Sequence, residues 1–186
     1  MNRKIITAGA VALLAVICLG LQPAFGAVVT FRGRMYSAVA GAPAYLVKIE
    51  ISEFTSPEEA LKLVGFMSRG DDSGFYSMLR GLNRGNIQFI GSQGLNIKFN
   101  VAQEYQTEKG IRIVLMTEGR SVEPGTSKFL NVPWRFLIVF LDLDKNYNGA
   151  GKIYEDAAIG ATRDGNITMS SSYTISKELV SIKLVK

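Results

Sequence analysis

From Val29 onward, apolar residues in this chain return at every second position. Val29, Phe31 and Met35 alternate with Thr30, Arg32 and Arg34, and Tyr45, Val47, Ile49 and Ile51 alternate with Leu46, Lys48, Glu50 and Ser52. Successive side chains on a strand point to opposite faces, so each pattern describes a strand with one face toward a core and one toward water. Ile87 and Phe89 repeat the pattern briefly. Leu95, Ile97, Phe99 and Val101 extend it, and Ile111, Ile113 and Leu115 resume it after the turn residues Glu108-Lys109-Gly110, as a hairpin partner would. Lys152 to Thr162, Asn166 to Ser172 (behind the hairpin signal Asp164-Gly165) and Val180 to Leu184 complete eight or nine strands.

The segment Trp134 to Leu143 is apolar on both faces. Trp134, Phe136, Ile138 and Phe140 form one row, and Leu137, Val139, Leu141 and Leu143 the other. Such a strand must be covered on both sides. The cover is supplied where the period changes. Ser56-Pro57-Glu58-Glu59 has the capping-box arrangement, and Ala60, Leu61, Leu63, Val64 and Met67 then recur at helical spacing. Asp71-Asp72 precedes Phe75, Met78, Leu79 and Leu82, spaced as one face of a second helix. The fold class expected is α+β, mainly β: an antiparallel, curved or barrel-like sheet of eight or nine strands with one helical hairpin, at about 56–82, packed on it.

The first residues follow a different grammar. Asn2-Arg3-Lys4 is a short basic start, Ile5 to Leu21 carries no charge, and Pro23-Ala24-Phe25-Gly26-Ala27 places small residues at alternate positions. This reads as a Sec-type signal peptide over residues 1–26 with cleavage after Gly26, followed by one β-rich domain over 27–186. The mature chain is then periplasmic or extracellular, without stable insertion in the membrane. Cleavage removes Cys18, the single cysteine, and with it any disulfide or thiol chemistry.

Histidine is absent. No Ser-His-Asp triad, Cys-His pair or histidine-ligated metal site can be assembled without it. With residues 1–26 removed, and Arg3 and Lys4 with them, the net charge falls from +5 to +3, spread along the chain, with no run of lysine and arginine to mark a nucleic-acid or anionic-membrane partner. Glu155-Asp156 does not read as a catalytic pair, because neighbours on a strand face opposite ways. Ser170-Ser171-Ser172-Tyr173 offers hydroxyls without a base to activate them. No cofactor is expected. A non-catalytic binding protein is, its partner a small hydrophobic molecule held inside the sheet or between sheet and helices. Phe75, Met78, Trp134, Phe136 and Phe140 are the expected lining. The rival expectation is a structural or protein-interaction module of the envelope, binding another envelope protein.

That rival draws on Asp144-Lys145-Asn146-Tyr147-Asn148-Gly149 with Glu155 beyond it, which satisfies the spacing of a calcium-binding loop. Asp144, Asn146, Asn148 and Glu155 are its candidate ligands, and an Asp/Asn/Gly-rich hairpin turn explains the same letters.

The order of the capped helix pair, Gly110-Ile111-Arg112-Ile113 leading to Thr117-Glu118-Gly119-Arg120, Leu141-Asp142-Leu143-Asp144 with Gly149-Ala150-Gly151, and the final Val180 to Val185 resembles an uncharacterised family of exported bacterial proteins of about this length. The resemblance implies export and carries no activity with it.

Overall fold

A computed structural model describes residues 28–36, 44–91, 95–119, 136–161, 167–172 and 176–185. The proposed signal segment, Trp134, and the Asp164-Gly165 turn lie outside the described residues. Within them are ten strands and two helices, in the order β1 (Val29–Tyr36), β2 (Tyr45–Ile51), α1 (Pro57–Arg69), α2 (Asp72–Gly81), β3 (Gly85–Ile90), β4 (Asn96–Phe99), β5 (Val101–Thr107), β6 (Gly110–Glu118), β7 (Phe136–Leu143), β8 (Asn148–Ala161), β9 (Ile167–Ser172) and β10 (Lys177–Val185).

All ten strands belong to one antiparallel sheet. Nine follow the path β4-β3-β2-β1-β10-β8-β7-β6-β5, and β9 branches from β8. Two meanders, β1 to β4 and β5 to β8, are thus joined by β10. Their other ends, β4 and β5, share no ladder but are separated in the chain by Asn100 alone. Two Cα–Cα steps span at most about 7 Å, so the sheet curls until its margins meet at that residue. Asn100 fastens the corner. Its backbone N–H donates to Met116 O at 2.9 Å, its Nδ2 to Leu82 O at 2.8 Å, and its Oδ1 accepts from the Thr117 hydroxyl at 2.7 Å.

The corner also changes the phase of the chain. Leu95 to Val101 reads as one strand with a single apolar face, yet Ile97 and Phe99 point into the curl while Val101 points out of it and Ala102 takes the inward place. The alternation in sequence is unbroken because the bend inverts the face at a polar position.

The inward face is a filled core of Phe31, Ile49, Ile87, Ile113, Val139, Leu141, Ile153 and Leu179 with their neighbours. A second core lies outside the curl, over β5 to β8. Val101, Val114, Met116, Phe136, Ile138 and Ala157 form its sheet side, and Leu63, Phe75 and Leu79 come down from the helices. The double-faced strand is therefore covered as its sequence requires: Phe136 and Ile138 lie under the helical layer and Leu137, Val139, Leu141 and Leu143 face inward. Each fully buried phenylalanine or leucine contributes about 1.5–3 kcal/mol relative to exposure.

The helices begin and end as the letters dictate. Ser56 Oγ accepts from Glu59 N at 3.2 Å and Glu59 Oε2 accepts from Ser56 N at 2.9 Å. Gly70, left-handed at φ 65°, closes α1 with its N–H on Met67 O. Asp71 Oδ1 accepts from Gly74 N at 2.9 Å and opens α2. Leu61, expected on the apolar face of α1, is exposed; the buried face is Ala60 and Leu63. Arg84, just before β3, is buried and bonded to both Glu53 and Glu59, which ties the entry of α1 to the sheet.

Candidate functional site

The expected apolar lining divides into two places. Phe75 from α2 and Phe136 from β7 meet edge to face, with centroids 5.9 Å apart, and both are wholly buried. Tyr76 joins them, stacked on Phe136 at 6.2 Å and edge-on to Phe75 at 5.6 Å. Phe140 lies four residues farther along β7, about 13 Å by strand rise. It is half-buried, edge-on to Tyr154 at 5.8 Å, and the Arg112 guanidinium sits 5.7 Å from its ring centroid. Met78 packs half-buried against the same outer core.

Tyr76 also lines an open depression of about 570 Å³ beside α2, with Asp72, Ser73, Ser77 and Arg80. These are one flank of the helix, at positions i, i+1, i+4, i+5 and i+8. The Arg80 guanidinium lies 5.4 Å from the Tyr76 ring centroid, and its Nε and Nη2 donate to Glu118 Oε1 at 2.9 and 2.8 Å. Asp72 and Arg80 are exposed; Tyr76 is half-buried, with its ring supported from behind by Phe136. The depression thus combines an aromatic surface, hydroxyls, the Asp72 carboxylate and a cation paired with Glu118. Tyr76 and Arg80 escape a reading by periodicity because they flank the helix face that the apolar spacing marks.

The interior of the curl, the other place where a small ligand was expected, is occupied by side chains. Phe31, Ile49, Ile113, Leu141, Ile153 and Leu179 leave no surface to a water-sized sphere. At the margin of that core Glu104 follows the inward face of β5. Burial pushes its carboxyl above the usual carboxylate range, partly offset by a hydrogen bond with the Tyr147 hydroxyl. Its Oε2 accepts no hydrogen bond from the described residues. The Tyr147 hydroxyl is itself pushed up, first by burial and then by the charge of Glu104.

On the outer core, β9 reaches across to β5. Ile167 N donates to Gln103 Oε1 at 3.3 Å, and the Tyr105 hydroxyl donates to the same oxygen and, at 3.4 Å, to Ile167 O. Burial pushes the Tyr105 hydroxyl far above its ordinary value, so the group stays a donor. This hydroxyl is a strut between strands.

The four candidate calcium ligands are not assembled. Asp144 Oδ1 accepts from Asn146 N at 2.8 Å and Asn148 N at 2.9 Å, an Asx turn in which Tyr147 takes the left-handed backbone at φ 60°. Glu155 lies seven residues along β8 from Asn148, about 23 Å by strand rise, and its Oε1 accepts from Lys177 Nζ at 2.7 Å. In a calcium loop flanked by helices the twelfth position folds back over the ion; here the chain leaves the turn as an extended strand, which carries that position away. Among the described residues no three acidic, histidine or cysteine side chains are placed to share a metal ion.

The chain matches no protein-family model, no curated protein and no solved structure.

Proposed function

We propose that the chain is an exported, non-catalytic binding protein whose ligand is a small, largely hydrophobic molecule seated in the depression beside α2. One observation carries this reading: a half-buried ring, Tyr76, lines a hollow of about 570 Å³ and is held in place by Phe136 and Phe75 behind it. That volume lies within the roughly 300–1,000 Å³ of small-molecule sites, which pair an apolar surface with few oriented polar groups. Arg80, held by Glu118 and by the Tyr76 ring, supplies one such group through its remaining N–H donors, which suit a ligand with a hydrogen-bond-accepting end. Phe75 and Phe136 position Tyr76 and do not touch the ligand. Removal of residues 1–26 would leave all the described elements in place, since they begin at Val29.

The test uses 1-anilinonaphthalene-8-sulfonate, an aromatic body with an anionic end. Saturable binding at one site is expected for the native chain, with a rise in the thermal midpoint as a ligand of the folded state requires. Tyr76→Ser should weaken it at least tenfold and Arg80→Gln severalfold, with circular dichroism unchanged. Non-saturable uptake, or equal binding by Tyr76→Ser, refutes the reading.

A further inference from the structure

Among the described residues, no helix or arm covers the outward face of β10, β1, β2, β3 and β4 as the helices and β9 cover that of β5 to β8. The residues of this open face are drawn together by strand register from distant parts of the chain. Lys183 stands opposite Arg32, and Arg32 opposite Lys48, so three cations lie side by side across three adjacent strands, about 4.8 Å from one strand to the next. Like charges directly opposite one another destabilise a sheet, so this row does nothing for the fold. Lys48 shares its charge with Glu50 at 2.7 Å, but Arg32, Arg34 and Lys183 have no carboxylate partner among the described residues. Lys98 adds a further exposed cation on β4, against Glu50 and Glu178 on the whole face.

Two residues along the strands, about 7 Å away, the adjoining row is Arg34, Leu46 and Ile90. Leu46 is 51% exposed, Ile90 49%, and Tyr36, at the end of β1 beyond Arg34, 45%. An apolar margin therefore runs beside a cationic belt at a fixed offset.

We propose that this face docks on an anionic phospholipid bilayer, with Leu46, Ile90 and Tyr36 entering the headgroup layer and Arg32, Arg34, Lys48 and Lys183 meeting lipid phosphates. The two rows lie side by side on one face, so a face laid on the bilayer brings Leu46 and Ile90 to the headgroup layer, where the apolar side of a surface-bound element sinks, and the cations to the phosphates at once, with Tyr36 at the boundary where aromatic residues concentrate. Arg34, set within the apolar row, can extend its stem along it and keep its head at the phosphates. A duplex nucleic acid or an acidic peptide would satisfy the cations but would leave Leu46 and Ile90 without a role. The partner is a macroscopic surface, distinct from the small ligand proposed for α2.

The experiment is co-sedimentation of the full chain with vesicles of phosphatidylcholine alone and with 30% phosphatidylglycerol, at 0.05 and 0.5 M salt. Arg3 and Lys4, beside the apolar segment 5–21, favour anionic vesicles equally in every variant, so the face is read from the change in the ratio between the native chain and its variants. Anionic vesicles should bind at least a hundredfold tighter at low salt, and the preference should shrink at high salt as charges are screened. Each cation near the surface is worth about fivefold, so Arg32→Gln/Arg34→Gln/Lys183→Gln should reduce the preference roughly a hundredfold. Leu46→Ser/Ile90→Ser should weaken anionic-vesicle binding severalfold and leave its salt dependence unchanged. A ratio near one for the native chain, or a triple variant with the native ratio, overturns the proposal. Binding to duplex DNA or polyglutamate that matches vesicle binding and is indifferent to Leu46→Ser/Ile90→Ser overturns it in favour of a soluble polyanion.

Discussion

The two halves of the sheet share one inward core and differ only in what they turn outward. On β5 to β8 the outward rows are Val101, Val114, Met116, Phe136, Ile138 and Ala157, all buried beneath helices or the β9 arm. On β10 and β1 to β4 they are Arg32, Arg34, Lys48, Lys98 and Lys183, left in water or half-exposed. A strand in the first half is fixed by contacts on both sides, whereas a strand in the second is fixed on one side only. Stability is therefore concentrated in the covered half, and the open half is free to carry residues that fold stability does not ask for.

The sharpest break in that contrast is Phe136→Ala, which opens a cavity between Phe75, Tyr76 and the sheet. It should cost about 3–5 kcal/mol in a urea titration. Asn100→Ala should cost about 1–3 kcal/mol by the same measurement, because Leu82 O and the Thr117 hydroxyl lose their partner at the corner. Ser56→Ala, which removes half of the capping box, should cost about 1 kcal/mol. On the open half, Lys183→Gln should change stability by less than about 0.5 kcal/mol, and in the favourable direction, since a like-charge pair is relieved. A loss there as large as that of Phe136→Ala would erase the distinction.

Glu104 lies at the margin of the inner core that both halves share, and it sharpens the comparison through pH. Its carboxyl titrates higher in the folded chain than in the unfolded one, so the folded state holds its proton more tightly. The stabilisation this provides is complete below the unfolded carboxyl pKa and is lost as pH rises through the folded value. On raising the pH from about 4 toward neutrality the thermal midpoint of the native chain should fall relative to that of Glu104→Gln, which shares every other titrating group. A difference between the two chains that stays constant or moves the other way contradicts the placement of Glu104.

Much of the architecture is legible in local letters because it rests on local causes. The capping box at Ser56 and Glu59, the hairpin at Glu108-Lys109-Gly110 and the two-sided apolarity of β7 each announce the element they form. Leu95 to Val101 misleads because the inversion at Asn100 is imposed by the meeting of the sheet margins, a long-range event that leaves the alternation intact. The letters from Asp144 to Glu155 mislead for the converse reason: a motif is read along the chain, but the extended strand after Gly149 sets its last member apart. Phe75 and Phe136 do meet, whereas Phe140, expected beside them, stands four residues farther along β7, a separation that depends on strand rise. The row Lys183, Arg32 and Lys48 is invisible in sequence, since nothing but register makes those residues neighbours.

The position of β10 sets a condition on assembly. The last strand lies in the middle of the sheet, between the first strand and β8. A chain delivered from its front end carries two separate meanders with a raw margin each until nine residues, Lys177–Val185, arrive to lace them together. Pairings of such sequence separation form late, after the cost of closing the largest loop has been met. The ladders inside each meander can form beforehand, but the complete sheet locks only once the tail has followed.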